Sequence, residues 1–310
     1  MAAVGASGGS AAATGSAAAT GSAAATDRAG RDLAHIRLVA TDLDGTLLRS
    51  DGTISCRTAE ALDGLEAAGI ELVLITARPP RWMEPIATTT GHHGVAVCAN
   101  GAVTYDLHAS RVVHSYPLPA DAALEVVRRL RLAVPGGTFA VESAEGFSCE
   151  PGHLQHQWDE ESNPPVADVA RLLEMPALKL LFGHPDWTAD DLLAVARELV
   201  GDIAEPTHSN PERAAIELSA LGVSKATTLA RLCDARGISA ADVLAFGDMP
   251  NDLPMLTWAG TAVAVANAHP EVLAAVSFVT AGNDEDGVAL VIERLLGSAR
   301  LDPAGLTRAG

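Results

Sequence analysis

From Ile36 onward the chain alternates short, uninterrupted apolar runs with amphipathic stretches, and that alternation allows little besides a sheet of parallel strands joined by crossover helices. Ile36 to Thr41 reads as a buried strand. Ser55 to Ala68 follows as a helix, with Ser55 placed to cap its start and Gly69 to stop it. Glu71 to Thr76 and Val95 to Ala99 supply two more strands. Val243 to Gly247 and Thr261 to Val265 return far along the chain with the continuous apolar character of central strands buried on both faces. Between about Tyr105 and Leu218 the texture differs. Strand candidates at Val112, Thr138 to Glu142, Leu178 to Phe182 and Ala214 to Leu218 surround helical stretches at 120–134 and 188–200. The expected class is α/β, with a core made of 35–104 and 219–297 and a second α/β unit, 105–218, inserted into it.

Charge narrows the partners. Thirty-nine acids against 21 bases leave a formal charge of -18, a field that repels nucleic acid and acidic membrane surfaces, so an anionic ligand has to be received locally. The first 26 residues are uncharged and repeat Thr-Gly-Ser-Ala-Ala-Ala, with too few large apolar groups to offset the entropy of ordering. Residues 1–30 are expected to form a flexible tail, and 298–310 a flexible C-terminus. The tail has neither the basic start nor the unbroken apolar stretch of a secretory signal, and no later run reaches the roughly 18 apolar residues of a membrane helix. A soluble, cytoplasmic protein is expected. Cys56, Cys98, Cys149 and Cys233 are widely spaced and read as reduced packing residues.

The chemistry gathers at strand ends, where open α/β sheets bind ligands. Asp42 and Asp44 stand two residues apart in Asp42-Leu43-Asp44-Gly45-Thr46, directly after the first strand. An Asp-rich turn is the plainer reading of such a segment. Two acids beside a buried edge nevertheless repel each other and resist desolvation unless something compensates, and a divalent cation would. Gly247-Asp248-Met249-Pro250-Asn251-Asp252 repeats the arrangement after a second apolar strand. If the two strands are neighbours, Asp42, Asp44 and Asp248, with or without Asp252, converge as an all-oxygen set for a hard cation, with magnesium the natural candidate. Thr76, at another strand tip, can hydrogen-bond a phosphate oxygen or cap the next segment. Lys225 opens an amphipathic helix, where it opposes the helix dipole; an anion held between the ammonium and the amide donors would explain it, and so would solvent exposure.

In this order, Asp42-Leu43-Asp44-Gly45-Thr46, Thr76, Lys225 and Gly247-Asp248-Met249-Pro250-Asn251-Asp252 resemble the four motifs of the haloacid dehalogenase-like hydrolases, and in particular their Cof-type phosphatases. Leu74-Ile75-Thr76-Ala77-Arg78-Pro79, Cys98-Ala99-Asn100-Gly101-Ala102 and Glu285-Asp286-Gly287-Val288-Ala289 add to the likeness, which spans about 36–297. The chain reads Thr76-Ala77-Arg78 where relatives usually have Thr-Gly-Arg. The resemblance implies a Rossmann-like core with helices on both faces and an inserted α/β cap. It implies a magnesium-dependent phosphatase in which Asp42 attacks phosphorus and Asp44 is the general acid and base. Asp42, the Asp44 carbonyl and Asp248 would hold Mg2+, with Asp252 behind them. Leu43, Thr76, Ala77, Lys225 and Asn251 would hold the phosphate of a small metabolite.

Specificity should then come from the insert, because the motif residues are committed to phosphate and metal. Its most polar irregular stretch, Gly152 to Pro165, offers His153, His156 and Trp158, with the strand around Lys179 as a second candidate. Two other readings compete. A phosphosugar mutase uses the same scaffold, and a non-catalytic aspartate phosphoacceptor would have no use for Asp44. Deleting residues 1–30 is expected to leave turnover and the melting temperature unchanged; a clear loss of either would give the tail a structural role.

Overall fold

The computed structural model describes residues 33, 35–92, 94–144, 146–153, 168–210 and 214–297. Residues 1–30 and 298–310, expected to be flexible, lie outside the described residues, as do His156 and Trp158. The first half of the core runs β1 (Leu38–Asp42), α1 (Cys56–Ala67), β2 (Glu71–Ile75), α2 (Met83–Thr90), β3 (Val95–Cys98), β4 (Val103–Asp106) and β5 (Arg111–Ser115). The next stretch contains α3 (Ala120–Ala133), β6 (Thr138–Ser143), β7 (Gly146–Cys149), α4 (Val169–Leu172), β8 (Lys179–Gly183), α5 (Ala189–Val200), β9 (Ala204–Thr207) and β10 (Ala215–Ala220). The chain returns through α6 (Lys225–Arg236), β11 (Val243–Gly247), α7 (Leu253–Trp258), β12 (Thr261–Ala264), α8 (Pro270–Ala275) and α9 (Gly287–Leu295).

Seven strands form one sheet in the order β12-β11-β1-β2-β3-β4-β5, parallel from β12 to β3. Every residue of β1 and β11 is buried, as their unbroken apolar runs require. Between the first two strands, α1 begins where the Ser55 hydroxyl accepts from the Thr58 amide and ends before Gly69, whose φ of +70° closes the helix. On the sheet, α1 packs with α9, and α6 packs with α7. No described helix is long and apolar enough to cross a membrane.

One expectation is corrected by the strand pairing. The sequence pattern puts Val112 in the insert, yet β4 and β5 add antiparallel to the edge of the first sheet, and Val112 and Val113 stand exposed on that edge strand. A short strand of mixed polarity carries no mark of which sheet it will join, because edge pairing is made by backbone groups common to all residues. We propose that the insert begins after Ser115 and ends with β10. Cys98, Cys149 and Cys233 are buried thiols, but Cys56 is exposed at the first residue of α1 and does not pack.

Five antiparallel strands, in the order β7-β6-β8-β10-β9, make the second sheet. Side chains alternate across it with period two, and this sets its use. Phe139, Val141, Leu180, Phe182, Ile216 and Leu218 join the apolar core under α3 and α5. Their neighbours Glu142, Lys179, Leu181 and Glu217 point to the opposite face, which Ala140 and Phe147 share. Phe182 and Phe139, both wholly buried, meet with ring centroids 4.7 Å apart. Replacing Phe182 by Ala is expected to lower the stability to urea by about 3–5 kcal/mol, the cost of an unfilled aromatic site; a loss below about 1 kcal/mol would mean this face is not a packed core.

Candidate active site

β1 and β11 are parallel neighbours in register, Thr41 opposite Phe246, so Asp42 at the end of one and Asp248 just past the other emerge side by side. Asp252 comes back to the same point on the turn that follows Pro250. The three carboxylates each offer an oxygen within 4.8 Å of the others. Lys225 Nζ, almost fully buried, donates to Asp42 Oδ1 at 2.5 Å and to Asp252 Oδ1 at 2.7 Å. Burial opposes the Lys225 charge, but Asp252 and Asp42 outweigh it and hold the ammonium above its ordinary range. The sequence suggested an anion at the end of its helix; in this structure the ammonium meets the carboxyl groups of Asp42 and Asp252.

Burial dominates the acids too. It pushes Asp42 well above the ordinary carboxylate range, against the pull of Lys225, and the charges of Asp252, Asp248 and Asp44 add to the shift. Asp248 is pushed up to about 7, by burial first and then by Asp252, with Thr46 and Lys225 opposing. Thr46 donates its hydroxyl to Asp248 Oδ1 at 2.7 Å. No described residue donates a hydrogen bond to Oδ2 of Asp42 or of Asp248. Gly45 passes so close, with φ of +79°, that a Cβ there would lie 2.4 Å from Asp248 Oδ2. Buried, crowded, all-oxygen donors with open lone pairs fit a hard cation such as magnesium. Asp252 fits a supporting place instead. Its Oδ1 takes Lys225, and its Oδ2 takes the amides of Asp248 at 3.0 Å and Met249 at 3.1 Å, which fixes the loop carrying Asp248.

Asp44 turns outward, its side chain about half exposed, and the Arg78 guanidinium grips it through Nε at 2.8 Å and Nη2 at 2.5 Å. Thr76 is wholly buried at the tip of β2, and its hydroxyl oxygen accepts from the Arg78 amide at 3.0 Å. Leu43 is buried between the two acids. Ala77 lines the cavity, and its carbonyl accepts from Lys179 Nζ at 3.0 Å. Asn251 Nδ2 donates to Asn100 Oδ1 at 3.0 Å, while its own Oδ1 is buried without a partner. The structure therefore gathers Asp42, Asp44, Ala77, Lys225, Asp248, Asn251 and Asp252 at one end of the sheet.

A cavity of about 350 Å³ opens over this point. Its floor carries Asp42, Asp44, Ala77 and Asn251; its roof is the open face of the second sheet, with Glu142, Phe147, Lys179, Leu181 and Glu217. Arg81, Trp82 and Pro85 close one side. Arg81 lies over the Trp82 ring at 4.6 Å and forks onto Glu142 at 2.8 and 3.1 Å. Roof and floor are tied by a chain of hydrogen bonds. Lys179 bonds Glu217 at 2.7 Å, Glu217 accepts from Asn100 Nδ2 at 2.6 Å, and Asn100 holds Asn251. Asn100 does so from a left-handed conformation, φ +56°, directly after Ala99 at φ +50°, a costly backbone that the surrounding bonds maintain.

His153 is not among the cavity residues. It is buried on the second sheet, with Nδ1 3.3 Å from the Thr138 hydroxyl and the ring facing Phe147. Arg81, Trp82, Glu142 and Glu217 line the cavity although the sequence assigned them no role. An acid flanked by apolar residues on a strand, as in Ala215-Ile216-Glu217-Leu218, was the available signal, since a buried charge needs a partner.

A family model described as haloacid dehalogenase-like hydrolase matches residues 39–292. The chain is 31% identical to pyridoxal phosphate phosphatase YbhA of Escherichia coli, over 83% of this chain and 97% of that one. It is 26% identical to a phosphoglycolate phosphatase of Methanothermobacter thermautotrophicus, over 84% and 100%. Among solved structures, the phosphatase BT1666 of Bacteroides thetaiotaomicron superposes with a TM-score of 0.70 at 24% identity, covering 90% of this chain and 99% of that one.

The raised Asp248 fixes a sign for stability against pH. Without divalent cations the folded state keeps a proton on Asp248 up to about pH 7, whereas the unfolded chain releases it near the ordinary value of 3.8. Between those limits the folded state binds more protons, so this group makes stability fall as pH rises. In chelator, Asp248→Asn should remove that fall, so its melting temperature relative to the parent's should climb from pH 4.5 to 7.5. A constant or declining difference would overturn the assignment.

Proposed function

The chain belongs to the haloacid dehalogenase-like hydrolases, in their Cof-type branch, and is a phosphatase of phosphorylated small molecules; on that premise we propose that it works with magnesium and through a phosphorylated Asp42. One observation carries the reading: Asp42 and Asp248 present open oxygens beside Lys225, with Asp44 next to them at the mouth of the same cavity. Asp42, the Asp44 carbonyl and Asp248 would hold the cation, which would keep the buried carboxylates ionised and neutralise phosphoryl charge.

Asp42 is the nucleophile. Its carboxylate oxygen forms a bond to phosphorus while the bond from phosphorus to the ester oxygen breaks, and Asp44 gives its proton to the departing alkoxide. Asp44, now a carboxylate, takes a proton from water, and the water oxygen attacks the aspartyl phosphate to release inorganic phosphate and restore Asp42. Lys225, the Thr76 hydroxyl, Asn251 and the amides of Leu43 and Ala77 would receive the phosphoryl oxygens. Arg78 holds Asp44 until a substrate takes its place, and Asp252 keeps Lys225 and the Asp248 loop in position.

A cavity of about 350 Å³ suits a small metabolite and excludes a polymer. The organic part of the substrate would lie under the second sheet, against Trp82, Phe147 and Leu181, with Arg81 and Glu142 at its polar edge. These residues replace His153 as the specificity candidates. The flat ring of Trp82 favours a substrate that carries a ring, in line with the relative named for pyridoxal phosphate.

Asp42→Asn is expected to reduce turnover at least a thousandfold with the fold intact, and Asp44→Asn to slow both steps; full steady-state turnover in either would remove its role. Phosphate release should stop in chelator, return with magnesium and need no added bisphosphate. Release that persists in chelator would reject the metal assignment, and a bisphosphate requirement would favour the mutase. Trp82→Ala should lower kcat/KM for pyridoxal phosphate about tenfold more than for phosphoglycolate, about 1.4 kcal/mol of differential transition-state binding. Equal losses on both would mean Trp82 shapes the cavity without reading the substrate.

A further inference from the structure

A second group of ligating side chains forms where the insert meets the core. Asp190, in the first turn of α5, His208, just past β9, and His269, before α8, each offer an atom within 4.8 Å of the other two. His208 Nε2 is 2.8 Å from Asp190 Oδ1, and His269 Nε2 is 3.5 Å from Asp190 Oδ2. The two imidazoles stand edge to face, 5.8 Å between centroids.

Hydrogen bonds satisfy Asp190 and His269, whose Nδ1 accepts from the Glu271 amide, but leave one atom of the group bare. His208 is wholly buried, and its Nδ1 has no partner. That nitrogen is not the one that meets Asp190, so an ion held through Nε2 would leave it bare, and the site rests on the convergence of the three ligating groups. From the two buried or half-buried imidazoles and the carboxylate they share, we infer that Asp190, His208 and His269 form a binding site for a zinc-class divalent cation that fastens the insert to the core.

Spacing and chemistry agree with such an ion. Ligands about 2.0–2.2 Å from a tetrahedral zinc lie about 3.3–3.6 Å from one another. The 2.8 Å and 3.5 Å separations end on different oxygens of Asp190, so the carboxylate has to turn for one oxygen to serve as ligand, and the shorter contact has to open by roughly half an ångström. The Asp190 side chain is 58% exposed and has room to make that move. At His269, Nδ1 now accepts from the Glu271 amide at 3.3 Å. Coordination through Nε2 places the ring proton on Nδ1 and gives up that long bond. Three protein ligands with an exposed side leave an open position, and imidazole nitrogen selects zinc, copper or nickel over magnesium. The all-oxygen cluster around Asp42 and Asp248 has the opposite preference, so the two sites sort their ions by ligand type.

The site also reaches the reaction centre through the backbone. The His269 amide donates to the Asp248 carbonyl at 2.8 Å, while Asp190 and His208 belong to the insert that roofs the cavity. An ion here bridges the roof and the loop that carries Asp248.

The test uses the full chain in millimolar magnesium with one equivalent of Cu2+ as a spectroscopic probe. Electron paramagnetic resonance should show coupling to two imidazole nitrogens, which the oxygen-only cluster cannot supply. His208→Gln and His269→Gln should each remove one nitrogen, and Asp190→Asn should weaken binding at least tenfold. Because His208 is buried, Asp190→Asn at its exposed position keeps the test valid if the His208 variant fails to fold. Under the same magnesium, Zn2+ added in place of copper should raise the melting temperature of the parent but not of Asp190→Asn. A copper spectrum untouched by all three substitutions, or a zinc shift equal in parent and variant, would overturn the site.

Discussion

The buried ammonium of Lys225 between Asp42 and Asp252 is the contact on which the rest of this structure turns. An amine and two carboxylates removed from water are each costly alone, and only their mutual attraction with good geometry makes the arrangement tolerable. The one Lys225 charge cannot balance Asp42, Asp248 and Asp252 together. Burial consequently lifts Asp42 and Asp248 above their ordinary range, and the site remains short of positive charge. That shortage of positive charge is what a divalent cation would make good.

The sheet supplies the rigidity this contact needs. Two fully buried parallel strands fix the backbone on either side, so Asp42 and Asp248 have little freedom to separate when their charges repel. Asp252 closes the arrangement by taking two amides of its own loop, and Gly45 leaves room that any side chain would fill. The second sheet covers the same cavity from the other side. Its period-two alternation sends Phe139 and Phe182 to the helices and turns Glu142, Lys179 and Glu217 toward the cavity beside Phe147 and Leu181, and Lys179, Glu217 and Asn100 tie that face to the floor.

Much of this was legible from residue order. Unbroken apolar runs marked β1, β2, β3, β11 and β12 to within a residue or two, since a strand buried on both faces tolerates few polar side chains. Ser55 and Gly69 fixed the ends of α1 through capping chemistry that is local by nature. Short strands were harder. β4, β7 and β9 carry four residues each, too few to establish a period, and β5 was placed in the wrong sheet because its exposed valines resemble those of any edge. His153 was expected at the cavity from its polarity, and it packs inside the second sheet.

The sequence by itself determined the α/β class and the carboxylates at two strand ends, because apolar periodicity and the repulsion of neighbouring acids act over a few residues. Only the tertiary structure decided that Arg81 meets Glu142, that Asn100 meets Glu217, and that His269 of the core reaches Asp190 and His208 of the insert. Those contacts join residues tens to more than a hundred positions apart. An isolated charge or imidazole reads the same in sequence whether it ends in solvent or against a partner, and which of the two occurs depends on how the sheets and helices pack, since Coulomb forces and hydrogen bonds follow distance in space.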